Sequence, residues 1–210
     1  MDSRWILKGL VESVFVVASI LMALAVDEWA QDQEYAELAD QSLSIFEREI
    51  RDNRARLDDV APYHMGIRDL LGQMRELPGP PREISSFMEG MSPPVLLNTA
   101  WETALATGAL THMEFEVVSA LSLTYSIQES FEDRSRASRP RIVSTEGLSP
   151  AAIRAQVEEA YDYVATLSQD ESELMTVYDQ ALEVIAAHRA PEHVDPVTPD
   201  ATDASGSDRP

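Results

Sequence analysis

The chain has no cysteine in its 210 residues, which excludes disulfides, thiolate metal sites and cysteine nucleophiles. Lysine is nearly as scarce: Lys8 is the sole example, and the other fifteen of the sixteen basic residues are arginine. Against 37 Asp and Glu they leave a formal net charge of -21. So acidic a chain is not built for nucleic acid, because binding a phosphate backbone requires Lys and Arg to displace its counterions. Anionic lipid is excluded as a docking surface by the same repulsion. Only eight glycines are present, and no Gly-x-Gly-x-x-Gly, P-loop or Gly-x-Ser-x-Gly sequence occurs. The four histidines, His64, His112, His188 and His193, belong to no His-Glu-x-x-His or Glu-x-x-His pattern of the kind that builds metal sites on helices. Neither a cofactor nor a metal is expected, and the acidic doublets Asp58-Asp59, Glu158-Glu159 and Asp170-Glu171 read as solvated helix surface rather than acid/base pairs.

One long apolar run is present. Residues 13–26, SVFVVASILMALAV, carry no charge and no helix breaker. Trp5 and Trp29 flank the run 24 residues apart, about 36 Å along a helix, which matches the hydrocarbon core plus part of both interfaces. Tryptophans at that separation act as interfacial anchors. Lys8 precedes Glu12 by one helical turn, so it can reach the head groups and pair with that carboxylate. Arg4 and Lys8 stand before the run, and no basic residue follows it until Arg48. The positive-inside rule therefore predicts a cytoplasmic N-terminus and a periplasmic or extracellular body, with the chain anchored in the cell (inner) membrane. A cleaved signal peptide is the competing reading, since Ala23-Leu24-Ala25 is a small-x-small triplet that would permit cleavage before Val26. The spacings Gly9/Ser13 and Ser19/Ala23 would allow close helix contact in lipid.

The rest of the chain reads as helix. Tyr35, Leu38, Ser42, Phe46, Ile50, Leu57 and Val60 recur mostly at intervals of three, four or seven. Nothing interrupts this pattern after the apolar run, so a helix of roughly 50 residues is expected to continue from lipid into the soluble part, with Pro62 ending or kinking it. A second helix is expected over residues 63–77, before the Pro78-Gly79-Pro80-Pro81 turn. Three pairs, Ser86/Glu89, Thr99/Glu102 and Thr111/Glu114, have capping-box spacing. Gly108 suits the left-handed position that closes a helix containing Trp101 and Leu105. The next helix would carry Phe115, Val118, Leu121 and Tyr125 on one face and end near residues 134–141. Ser149-Pro150 signals a helix start, followed by an apolar stripe through Ile153, Val157, Tyr161, Val164, Leu167, Leu174, Tyr178, Leu182 and Ile185. The expected class is all-α: a transmembrane anchor over 1–29, an exported helical bundle over 30–189, and a tail over 190–210. That tail, with Pro191, Pro196 and Pro199 and few large apolar side chains, should be disordered, because it cannot offset its own ordering entropy.

Two stretches together carry a resemblance. Residues 12–29, ESVFVVASILMALAVDEW, and residues 100–110, AWETALATGAL, resemble a group of uncharacterised bacterial single-pass membrane proteins. Those proteins have an N-terminal anchor with an early Glu and a closing Trp, then a helical exported domain with a Trp-x6-Gly motif. The resemblance spans residues 8 to about 130, and this chain departs from it where many relatives have glycine near Ala18. It implies a retained anchor and no particular activity or substrate.

Two further sets of residues are candidates for contact. Trp101, Leu105 and Gly108 lie on one helix face and its cap, where a large aromatic would anchor the core or line a pocket. Arg134, Arg136, Arg139 and Arg141 form a basic cluster that complements a helix C-terminus or meets an anionic partner. The expectation is a non-enzymatic, membrane-anchored interaction or scaffold protein that meets a protein partner or a second copy of itself. The alternative is an exported small-molecule or stress-sensing domain that acts through a partner.

Overall fold

The structure is a computed structural model, and it describes residues 3–76, 91–140 and 147–190, with side chains from Val14 onward. Four α-helices account for most of these: α1 (Ser3–Glu76), α2 (Thr99–Thr107), α3 (Phe115–Ala137) and α4 (Pro150–Arg189). A short 3-10 turn, Ala109–His112, joins α2 to α3. No strand occurs among the described residues. The expected disorder of 190–210, the Ser86/Glu89 cap, the 78–81 turn and Arg141 lie outside the described residues, as do the side chains of Trp5, Lys8 and Glu12.

The 74 residues of α1 span about 110 Å at 1.5 Å per residue. Its first part is the one helix among the described residues that is long and apolar enough to cross a membrane. Val14, Phe15, Ile20, Leu24 and Trp29 are all exposed, as an uncovered apolar rod would be. Burial begins at Leu43 and recurs at Phe46, Ile50, Leu57, Ile67 and Leu71. Apolar segment and bundle core thus share a single unbroken helix.

Pro62 does not end that helix, contrary to the sequence expectation, and residues 63–76 continue α1 rather than forming a second helix. Proline lacks the N–H that would bond to the carbonyl of Asp58, a loss of about 3 kcal/mol in a helix interior. Here Pro62 and Asp58 are exposed, whereas Leu57, Ala61 and His64 are buried. Water can satisfy the freed carbonyl on the outer side while packing holds the inner side straight.

Helix α4 runs antiparallel to α1 over the length of the bundle, as cross-links between the two show. Arg189 meets Glu47 at 2.6 Å, Arg54 meets Asp179, His64 meets Glu171 at 2.7 Å, and Arg75 meets Glu158 at 2.7 Å. Partners on α4 fall in number as those on α1 rise. Arg134 of α3 pairs with Asp170 at 3.0 Å and Tyr178 of α4 donates to Gln128 of α3 at 2.7 Å, so α3 is also antiparallel to α4. The result is an up-down-up-down bundle whose second member is the short α2 with its 3-10 turn. Phe46, Leu57, Leu121, Phe131, Leu174 and Tyr178 fill its centre, each fully buried side chain contributing about 2 kcal/mol.

Several local expectations need correction. The buried face of α3 runs through Val117, Leu121, Tyr125, Gln128 and Phe131, and Phe115 is 87% exposed, because it is the first residue of the helix and projects beyond the bundle's packed layer. Thr99 is not the N-cap of α2; Asn98 is, and its amide donates to Glu102. Thr111 bonds back to the Gly108 carbonyl at 2.8 Å instead of capping α3. Glu171 is not solvated surface but wholly buried against His64. Ser149 does cap α4, accepting from the Ala152 amide at 3.3 Å with Pro150 in the first turn.

Gly108 closes α2 at φ 74°, and its amide bonds back to the helix. That left-handed conformation lets the chain reverse into the 3-10 turn, and a Cβ there would be strained although nothing lies within 4 Å of it. Gly108→Ala should therefore destabilise the full-length protein in mild detergent by about 1 kcal/mol, and Gly108→Asn by less. Urea unfolding followed by circular dichroism checks both, and equal stability of all three proteins would contradict the assignment.

Candidate functional site

The site is built on two polar positions inside the apolar stripe of α1. Glu49 and Asn53 sit one turn apart among Phe46, Ile50 and Leu57, and both are buried. The Glu49 carboxylate accepts from the Ala100 amide with both oxygens, at 3.1 and 3.0 Å, and from the Tyr125 hydroxyl at 2.8 Å. It thereby satisfies a free donor at the N-terminus of α2 and places negative charge at the positive end of that helix. Asn53 grips the segment before α2 through a paired contact, its amide donating to the Leu97 carbonyl at 2.7 Å and its oxygen accepting from the Leu97 amide at 2.8 Å. These bonds fix α2 against α1.

Gln128 of α3 completes the network. It donates to the Leu97 carbonyl at 3.1 Å and to Glu132 at 3.3 Å, and its oxygen accepts from Tyr178 at 2.7 Å. All four helices are therefore joined through one set of buried amides, carboxylate and hydroxyls. With the Ala100 amide shared between both oxygens and the Tyr125 hydroxyl on one of them, Glu49 is a structural anchor and not a free base.

Above this network a cleft of about 560 Å³ opens between α2 and α3, within the size range of ligand pockets. Its floor is aromatic: the Trp101 indole stacks on the Tyr125 ring with centroids 5.6 Å apart and planes 20° from parallel, and Phe46 lies tilted behind both at 6.4 and 5.9 Å. Its walls are acidic. Asn98 and Glu102 line it from α2, and Glu129, Glu132, Asp133 and Arg136 from α3. Four carboxylates thus face one guanidinium, which is itself paired with Asp133 at 2.9 Å.

The sequence candidates separate on this frame. Trp101 reaches the cleft and packs on the core as well, Leu105 is 57% exposed on the same helix, and Gly108 serves the turn. The arginines do not make a single surface: Arg134 crosses to Asp170, Arg136 turns into the cleft, and the charge of Arg139 acts on Tyr163. At the bundle end nearest the apolar segment, His112 stacks on Tyr35 at 3.9 Å and His188 lies 3.3 Å from Glu114. No group of three or more metal-ligating side chains occurs among the described residues. Sequence reasoning missed Glu49, Asn53, Gln128, His64 and Glu171. Their signal is a polar residue falling in phase with an apolar stripe, as Glu171 does between Leu167 and Leu174.

Burial raises the Tyr125 hydroxyl far above the usual tyrosine range, reinforced by its bond to Glu49, and burial raises Tyr178 strongly too. Both are held neutral in the fold, whereas in the unfolded chain they ionise near pH 10. Their stabilising effect is complete below about pH 10 and is lost as pH climbs from there, at about 1.4 kcal/mol per pH unit for each tyrosine. Urea midpoints measured between pH 9 and 11.5 should fall steeply for the wild type and less steeply for Tyr125→Phe. An unchanged slope in that variant would refute the coupling.

The chain matches no protein-family model, no curated protein and no solved structure.

Proposed function

We propose that this is a membrane-anchored, non-enzymatic interaction protein of the cell envelope, which displays its α2/α3 cleft at a fixed height above the bilayer. The supporting observation is the continuity of α1: no break separates the exposed apolar rod from the residues that bind α2 and α4. Glu49, directly under the cleft, lies 20 residues beyond Trp29, about 30 Å along the helix. Arg4 and Lys8 favour a cytoplasmic N-terminus with the bundle on the periplasmic or extracellular face. The resemblance of residues 12–29 and 100–110 to single-pass membrane proteins supports retention of the anchor. The polar side chains beneath the cleft, Glu49, Asn53 and Gln128, are buried and bonded to the backbone and to one another, which supports a structural use of them and a binding role for the surface above.

A second reading, an exported sensing domain acting through a partner, is favoured by the ligand-sized cleft. With α1 as the one candidate membrane span among the described residues, a signal along it would pass through helix movement or association.

Intact-mass analysis of the membrane fraction tests the anchor. The mature protein should begin at residue 1 or 2 and resist carbonate extraction, and a start at Val26 in the soluble fraction would remove it. Cross-linking in mild detergent should then yield a discrete partner species for the full chain, and its absence at every cross-linker length would count against an interaction role.

A further inference from the structure

We propose that the α2/α3 cleft is a receptor for an arginine side chain carried by a protein partner, an inference that rests on the interaction role proposed above. Two kinds of surface meet there that a guanidinium needs together. Trp101, half-buried in the lining of the cleft and backed by the buried Tyr125 ring on which it stacks, supplies an aromatic surface to which a planar cation is attracted by the ring quadrupole. Glu102 on α2 and Glu129 on α3 supply carboxylates on opposite walls, and a planar fork of N–H donors bonds carboxylates while stacked, which a compact ammonium does not do.

The floor is ready before binding. Tyr125 is fixed by its bond to Glu49, Trp101 by its place one residue after the Ala100 amide that Glu49 holds, and Gln128 by Tyr178. Little side-chain freedom on the floor is left to lose when a cation arrives. The chain supplies its own example of the chemistry: Arg75 lies over the Tyr161 ring at 4.2 Å while pairing with Glu158 at 2.7 Å. The cleft repeats that pairing of aromatic face and carboxylate, at the α2/α3 wall, with the cation to come from outside. Arg136 does not fill this place, since it is paired with Asp133.

Isothermal titration of the full chain in mild detergent with acetyl-Arg-Arg-amide tests the assignment. The probe should bind, and its citrulline counterpart, neutral and of the same shape, should bind at least about tenfold more weakly. Trp101→Leu should weaken binding about tenfold. Glu129→Gln, on an exposed rim position that leaves the core untouched, should weaken it about three- to fivefold. Glu173→Gln on the outer face of α4 should leave it unchanged. Equal binding of the arginine and citrulline probes overturns the proposal, as does an equal loss in Glu129→Gln and Glu173→Gln, which would indicate only the diffuse acidic field. Spermidine binding more tightly than the arginine probe overturns the assignment to a side chain. Failure of all probes with an intact cross-linked partner species would remove the cleft proposal and leave the interaction role standing.

Discussion

The two donors that converge on Glu49, the Ala100 amide and the Tyr125 hydroxyl, make the contact on which the α2/α3 cleft depends. Helix α2 is only nine residues long, too short to be stable alone, and the segment that leads into it is held by Asn53 and Gln128. A carboxylate from α1 gives α2 its first hydrogen-bonded anchor and at the same time holds the Tyr125 hydroxyl of α3. Charge-assisted bonds of this kind are roughly twice as strong as neutral ones, and their low-dielectric setting strengthens them further. Three helices are thereby set in register at the point where the cleft opens. Remove the carboxylate and the Ala100 amide and Tyr125 hydroxyl would both be buried without partners, each costing about 1–3 kcal/mol.

A similar logic holds the opposite side of the bundle. His64 and Glu171 are both fully buried, 2.7 Å apart, and join α1 to α4. Such a pair adds little net stability against an apolar substitute, because desolvation cancels most of the attraction. What it does contribute is register: a slide of α4 along α1 by one turn would separate the pair and leave a charge-capable group in an apolar layer. The exposed pairs Arg54–Asp179, Arg75–Glu158 and Arg189–Glu47 repeat the same alignment at lower energetic stakes.

What the sequence made legible and what it hid divide along a physical line. Local signals performed well: Ser149-Pro150 marks the start of α4, Gly108 marks the end of α2, and the apolar stripe of α4 is buried much as its periodicity requires. Signals that depend on the partner surface failed. Pro62 lies in mid-helix because α4 packs against the other side, a condition invisible along α1 alone. Glu171 sits beside Asp170, and the doublet gives no sign that one carboxylate, largely covered, pairs with Arg134 while the other is buried against His64. The acidic walls of the cleft come from two helices whose approach is set by Glu49, so no spacing within either helix announces them. Trp101 was identifiable as an anchor, but its stacking on Tyr125, 24 positions away, was not.

Continuity of α1 gives the cleft a fixed direction as well as a height. A helix turns 100° per residue and resists twisting, so the azimuth of Glu49 relative to Trp29 is set by the count of residues between them. Had a glycine or a polar turn interrupted residues 30–42, the bundle could pivot on the apolar segment. No such break is present. Gln31 bonds to Asp27 and Gln41 to Glu37 along the helix surface, while Tyr35 stacks on His112 and Asp40 pairs with Arg189 of α4, so the bundle holds the rod from Tyr35 onward. Under the anchored reading proposed above, a partner in the same membrane would meet the cleft from one side of the rod and at one level above the bilayer. That geometric selectivity comes from backbone hydrogen bonds alone and needs no additional contact.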